Sequence, residues 1–202
     1  MNSKSIRFGF DLDNTLIDYS ASVLKYCQVN NLKRCVDIGE LRQLLRKSNG
    51  SNNEWQIAQC WLYTTGLNYA NFSEGAIDFI YHLHKKNVGI YIVSHKTEFT
   101  PDFCERKNLR HLAFTWLKNS EIVNVLPDLK NLYFEDTRQE KIAQINRLGL
   151  DYFADDLFEV LDDPNLSKNI SKFLIGSKNF TSESIKCVTN FIELNEMISH
   201  EL

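Results

Sequence analysis

The sequence predicts an α/β fold, a doubly wound parallel sheet with a small helical module inserted after its first strand. Three observations carry that expectation. Short, nearly continuous apolar runs rich in β-formers recur along the chain, the pattern of strands covered on both faces. Segments with helical spacing separate the later runs, and strands alternating with helices imply right-handed crossovers and a parallel sheet. Residues 19–70 break the alternation, holding three helix-like segments and no convincing strand.

Taken in order, residues 6–10 (IRFGF) form the first run and end abruptly in acids at Asp11 and Asp13, which suits a strand delivering charge to a sheet edge. Helix-like segments follow at 20–30, 37–46 and 53–65, with Asn/Ser/Gly punctuation over 47–53. Ser73-Glu74-Gly75 opens the next core helix. Residues 88–93 (VGIYIV) are the second strand, and a helix over 103–117 precedes a third at 131–134. Residues 141–148 carry Ile142, Ile145 and Leu148 at helical spacing. Strands at 152–154 and 173–175 bring the count to about five, and a helix over 188–198 closes the chain. The outcome is a Rossmann-like core over 1–17 and 73–202 with a helical cap over 18–72.

The composition bounds the function. A chain of 202 residues supports one domain, or one domain carrying an inserted module. With 43% hydrophobic and 24% charged residues it is far from disorder. Its 23 Lys+Arg against 26 Asp+Glu give a net charge of −3, and no dense basic run marks a nucleic-acid partner. Cys27, Cys35, Cys60, Cys104 and Cys187 are odd in number, scattered and never CxxC, so they read as reduced, mostly buried thiols. Acids interrupt the N-terminus before a signal peptide can form, and no run of ~18 apolar residues offers a membrane span. A cytoplasmic protein without a membrane partner is expected. Oligomeric state is not legible.

Chemistry concentrates in four places. Asp11-Leu12-Asp13-Asn14-Thr15 sets two carboxylates at the carboxyl edge of the first strand, where open α/β sheets place ligands. Alone, this is equally a solvated turn. Ser94 follows the strand at 88–93, so its hydroxyl emerges at the same edge; alone, it is a strand-ending cap. Asp155-Asp156 follows the strand at 152–154, where acids also N-cap helices. Lys141 begins a helix, and a lone helical lysine is usually solvent-exposed. Together they place two acid pairs, a hydroxyl and an ammonium around one point. Such a cluster needs a cation, and an all-oxygen donor set favours Mg²⁺ over zinc.

DLDNT, the Ser94 of IVSHKT, the Lys141 of RQEKIAQI and the Asp155-Asp156 of YFADDLFEVL resemble, in order, the four signature motifs of the haloacid dehalogenase-like superfamily. The resemblance spans the chain, with the helical insertion where many members carry a cap. It implies a phosphomonoester phosphatase acting on a small phosphorylated metabolite, with Asp11 as nucleophile and Asp13 as the acid that protonates the leaving oxygen and then activates water. Members that cleave carbon–halogen bonds lack the second acid, so Asp13 implies phosphoryl transfer. It further implies Mg²⁺ held by Asp11, the Asp13 carbonyl and Asp155 or Asp156, with Lys141 offsetting charge and Ser94 donating to a phosphoryl oxygen. Thr15 is expected to brace the loop near substrate. His95 and Lys96 are either a second substrate contact or a solvated loop. A phosphotransferase or nucleotidase of the same chemistry, and a silent binding or regulatory module, are the alternatives.

Overall fold

A computed structural model describes residues 5–49, 53–176 and 182–200. Residues 50–52, part of the loop expected over 47–53, lie outside these. Eight strands occur among the described residues: β1 (Arg7–Phe10), β2 (Ile17–Asp18), β3 (Asn71–Phe72), β4 (Gly89–His95), β5 (Leu132–Glu135), β6 (Tyr152–Asp155), β7 (Ser171–Ile175) and β8 (Ile185–Val188). Six of them form one parallel sheet in the order β5-β4-β1-β6-β7-β8, and β2 pairs with β3. The chain therefore runs outward from β1 to β4 and β5, then returns to lay β6 on the other side of β1. That reversal opens a crevice beyond the carboxyl end of β1, the place where such sheets bind ligands.

The alternation within β1 explains its central position. Phe8 and Phe10 are fully buried on one face, their rings 4.6 Å apart, with Phe79 set edge-on to both and Phe191 against Phe10. These partners come from α4 (Ala76–Lys85) and α8 (Phe191–Ile198). Gly9 faces the other way. A β-carbon there would lie 2.3 Å from Leu150 Cδ1 and 2.8 Å from Phe153 Cδ2, so a side chain would collide with the second core layer. That layer gathers Val93, Ile142, Ile145, Phe153, Val160 and Leu174 beneath α6 (Arg138–Leu148) and α7 (Phe158–Leu161).

Two expectations about elements are corrected. The sheet has six strands instead of five, because β8 ends at Val188 where a helix was expected to start, and α8 begins only at Phe191. β8 is an edge strand whose sequence, IKCV, carries the exposed Lys186, and such polar interruption is what edge strands use. The helix expected over 103–117 is α5 (Leu109–Lys118). Its start is set by Asn108, whose side chain accepts from His111 N at 2.7 Å, and Phe103 lies in the exposed loop before it.

The chain forms two compact units. The first comprises Met1–Leu16, Phe72–Lys96 and Leu117–Leu202; the second comprises Ile17–Asn71 and Thr97–Trp116. The second unit thus takes in residues 97–116, beyond the stretch expected as the cap. It contains α1 (Ser20–Val29), α2 (Ile38–Asn49) and α3 (Asn53–Leu62) around a small core of Val23, Tyr26, Leu41, Trp55, Ala58 and Leu62. Trp61 and Tyr63 pack against this core. The expectation of reduced cysteines fails at one pair: Cys60 in α3 is disulfide-bonded to Cys104, 44 residues on, while Cys27, Cys35 and Cys187 are free. The pairing depends on residues 97–116 returning to the helices of the second unit, which spacing alone does not reveal. Among the described residues no helix is long and apolar enough to cross a membrane.

Candidate active site

Asp11 leaves β1 at the crevice, its backbone N donating to Ala154 O at 2.9 Å. The register pairs Phe10 with Ile92 and with Ala154, so Asp11 stands level with Val93 on β4 and with Asp155 on β6. Three adjacent strands therefore bring Asp11, Ser94 and Asp155 to one edge. The loop after Asp11 turns through Asn14 at φ 62°, a left-handed conformation that asparagine tolerates better than most residues. It is braced by Ser73, whose hydroxyl donates to Thr15 O at 2.5 Å.

Lys141 arrives from α6. A capping box starts that helix: Thr137 accepts from Glu140 N at 3.1 Å and the Glu140 carboxylate accepts from Thr137 N at 2.9 Å. This fixes the first turn, and Lys141 projects to the sheet edge with 1% exposure. Its Nζ lies 2.6 Å from Asp11 Oδ1 and 2.6 Å from Asp155 Oδ2. Burial alone would lower the lysine's pKa, but the two carboxylates outweigh it and the ammonium is held above its ordinary range. Asp155, fully buried, also accepts from Leu157 N at 2.9 Å.

The acids are crowded. Carboxylate oxygens of Asp11, Asp155 and Asp156 all lie within 4.8 Å of one another. Burial pushes Asp11 up to about 7; Lys141 pulls it down, and Asp155 and Asp13 add to the rise. Asp156 is held well above the carboxylate range by burial, then by Asp11 and Asp155. Asp156 also accepts from the Thr15 hydroxyl at 3.4 Å, so Thr15 braces an acid of the cluster. One ammonium does not balance three converging carboxylates, and a divalent cation would. The donor set is oxygen only, which fits Mg²⁺.

Ser94 lies beside this cluster in sequence register, 1% exposed, and its Oγ has no hydrogen-bond partner. A buried hydroxyl without a partner costs about 1–3 kcal/mol, and a bound oxyanion would accept its proton. His95 turns away: its Nε2 is 2.9 Å from Asp136 O on the exposed side. Lys96, in contrast, is buried, with Nζ 2.6 Å from Asp13 Oδ2. Glu159, in α7, is exposed. The structure thus gathers Asp11, Thr15, Lys141, Asp155 and Asp156 through direct contacts and pairs Asp13 with Lys96. That last pairing was not legible in the sequence, because it depends on β4 lying next to β1.

No family model matches the chain. Over 206 aligned residues it is 26% identical to a protein of Oceanobacillus iheyensis named "Putative nucleotidase", covering 98% of this chain and 100% of that one. Its structure matches a haloacid dehalogenase-like family hydrolase from Streptococcus pneumoniae with a TM-score of 0.60 at 16% identity, covering 98% and 99% of the two chains. The chain has the haloacid dehalogenase-like fold. The same fold appears in the magnesium-bound structure of YfnB from Bacillus subtilis, with a TM-score of 0.62 at 13% identity and 96% and 99% coverage. In the haloacid dehalogenase-like fold of this chain, the crevice residues are the acids, lysine and serine described above.

Proposed function

We propose that the protein is a Mg²⁺-dependent phosphomonoesterase acting on a small phosphorylated metabolite. One observation carries the reading: an ammonium shared by Asp11 and Asp155, with Asp156 in the same cluster, stands at the sheet edge that also holds the buried, unpartnered hydroxyl of Ser94. Acids, ammonium and hydroxyl together suit an oxyanion undergoing displacement. Asp11 attacks phosphorus through a carboxylate oxygen, forming an aspartyl-phosphate as the bond to the leaving oxygen breaks. Lys141 keeps that carboxylate oriented and partly neutralised. Asp13 gives its proton to the leaving oxygen, then takes one from the water that hydrolyses the intermediate. Ser94 donates to a phosphoryl oxygen. Asp11, Asp155 or Asp156, and the Asp13 carbonyl would hold Mg²⁺, which supplies charge neutralisation at the phosphoryl group when bound.

The second unit leaves the first after Leu16, five residues past Asp11, and again after Lys96, two past Ser94. We take it as the cap that selects substrate size. The name of the Oceanobacillus relative favours a nucleoside monophosphate as one substrate class. A cytoplasmic location is part of the proposal, and there the Cys60–Cys104 pair would be held reduced. Activity is tested by incubating purified protein and Mg²⁺ with sugar phosphates, nucleotides and phosphorylated acids. Asp11→Asn should abolish turnover without unfolding the chain, and Asp13→Asn should cost ~10²–10⁴-fold. Retained activity in Asp11→Asn would refute the nucleophile assignment; tight binding without turnover in the wild type would establish a silent module instead.

A further inference from the structure

Lys96 is a buried cation that the chemistry above does not use. It stands one residue beyond β4, where its backbone N donates to Glu135 O at 2.9 Å and so prolongs the β4–β5 ladder. The residue is 5% exposed, and its ammonium is 2.6 Å from Asp13 Oδ2 on a side chain that is itself 12% exposed. Ordering a lysine side chain costs rotamer entropy, and burying an ammonium costs more unless it is paired. Had Lys96 served solubility, its head group would have reached solvent.

The location follows from the sheet. Asp13 lies two residues past Asp11 and Lys96 two past Ser94, on loops that leave adjacent strands held in register at Phe10 and Ile92. The neighbour relation that sets Ser94 near Asp11 therefore sets Lys96 against Asp13. The main chain at Asp13 belongs to no helix and leads directly into the left-handed Asn14, and the Lys96 ammonium is paired with the Asp13 carboxylate at that point.

We propose that Lys96 is a positioning residue for Asp13, holding its carboxyl group where it exchanges a proton with the leaving oxygen; this rests on the phosphatase reading. Lys96 neither bonds to substrate nor transfers a proton. In the first step the Asp13 proton moves to the leaving oxygen while the Asp11–phosphorus bond forms and the phosphorus–leaving-oxygen bond breaks. In the second, Asp13 takes a proton from water as that water's oxygen bonds to phosphorus and Asp11 departs as a carboxylate. Inorganic phosphate is released and both acids return to their starting states.

The test varies how much the leaving group needs a proton. p-Nitrophenyl phosphate releases a phenolate that is stable unprotonated, whereas glycerol phosphate releases an alkoxide that is not. Lys96→Met should reduce kcat on glycerol phosphate ~10–100-fold, a part of what a general acid contributes, and that loss should exceed the loss on p-nitrophenyl phosphate by at least ~10-fold. KM should move little, and Lys96→Arg should restore most of the difference. In an Asp13→Asn background the selective loss should vanish, since residues acting as one unit are not additive. Equal losses on both substrates, a loss in KM alone, or a selective loss that persists without Asp13 would overturn the inference and leave the phosphatase reading standing. Wild-type protein inactive on every phosphomonoester would overturn both. Should Lys96→Met fail to fold by circular dichroism, Lys96→Gln takes its place against the same criteria.

Discussion

Lys141→Met keeps the length and most of the volume of the side chain and deletes its charge. In the wild type that charge sits 2.6 Å from both Asp11 and Asp155, all three groups buried. Removing one partner of a buried ion pair costs about 3–5 kcal/mol, because the carboxylates left behind are uncompensated. For a chain of this size each kcal/mol moves Tm by roughly 2–4 °C, so the metal-free variant should melt about 6–20 °C lower near pH 8. The loss should depend on pH, with a definite sign. Asp11 in the folded chain holds its proton up to about 7, above its ordinary 3.8, mainly because it is buried. A folded-state pKa raised in this way contributes stability that is full below pH 3.8 and lost as pH rises through about 7. At about 1.4 kcal/mol per pH unit, that gap corresponds to about 4 kcal/mol. Without Lys141 the pull that lowers Asp11 is gone, and the loss at high pH deepens. Near pH 5 Asp11 is mostly neutral in both proteins, and their difference should shrink. Thermal denaturation in EDTA at pH 5 and pH 8 reads this directly. Equal stability of the two proteins, or a Tm difference that does not change with pH, would refute the claim that Lys141 compensates these acids.

Two further outcomes are expected. Adding Mg²⁺ at ~100 times its Kd should stabilise the wild type by about 2.7 kcal/mol, seen as a Tm rise that EDTA reverses; Asp156→Asn should shrink that rise while making the metal-free protein no less stable, since it relieves acid crowding. Reducing the Cys60–Cys104 bond should expose two further thiols to a thiol titrant beyond the three free ones and destabilise the chain by up to about 4 kcal/mol, the chain-entropy value for a loop of 44 residues; an unchanged thiol count would show that the bond does not form in solution.

What the sequence revealed and what it concealed divide along physical lines. Strands buried on both faces announce themselves, so β1, β4 and β6 were legible, and with them the edge that carries Asp11, Ser94 and Asp155. β8 was not, because an edge strand needs no apolar alternation and its Lys186 interrupts the pattern. The start of α5 was hidden because apolar Phe103, which suggests a helix face, lies exposed in a loop. The Cys60–Cys104 bond and the Lys96–Asp13 pair share a cause of invisibility. Each joins segments brought together by topology, one through the return of residues 97–116 and the other through the adjacency of β4 to β1.

The order of the strands also explains why the acids crowd. β1 is flanked by β4 on one side and β6 on the other, and the chain's reversal at that point leaves no crossover helix filling the crevice above it. Asp11 from β1, Ser94 from β4 and Asp155 from β6 therefore come to the same edge of these three adjacent strands. In a site chosen for stability these positions would be apolar or self-satisfied. Here the structure keeps an unpartnered hydroxyl, carboxyls forced up in pKa and a lysine drawn deep into the protein to hold two of them. The unpartnered hydroxyl and the crowded carboxyls are unfavourable for the empty fold, whereas the lysine offsets part of that crowding, and a cation and an oxyanion in the crevice would relieve the rest. On the proposed function, the metal-free protein should be measurably less stable than the same chain with Mg²⁺ and an inert phosphate analogue bound.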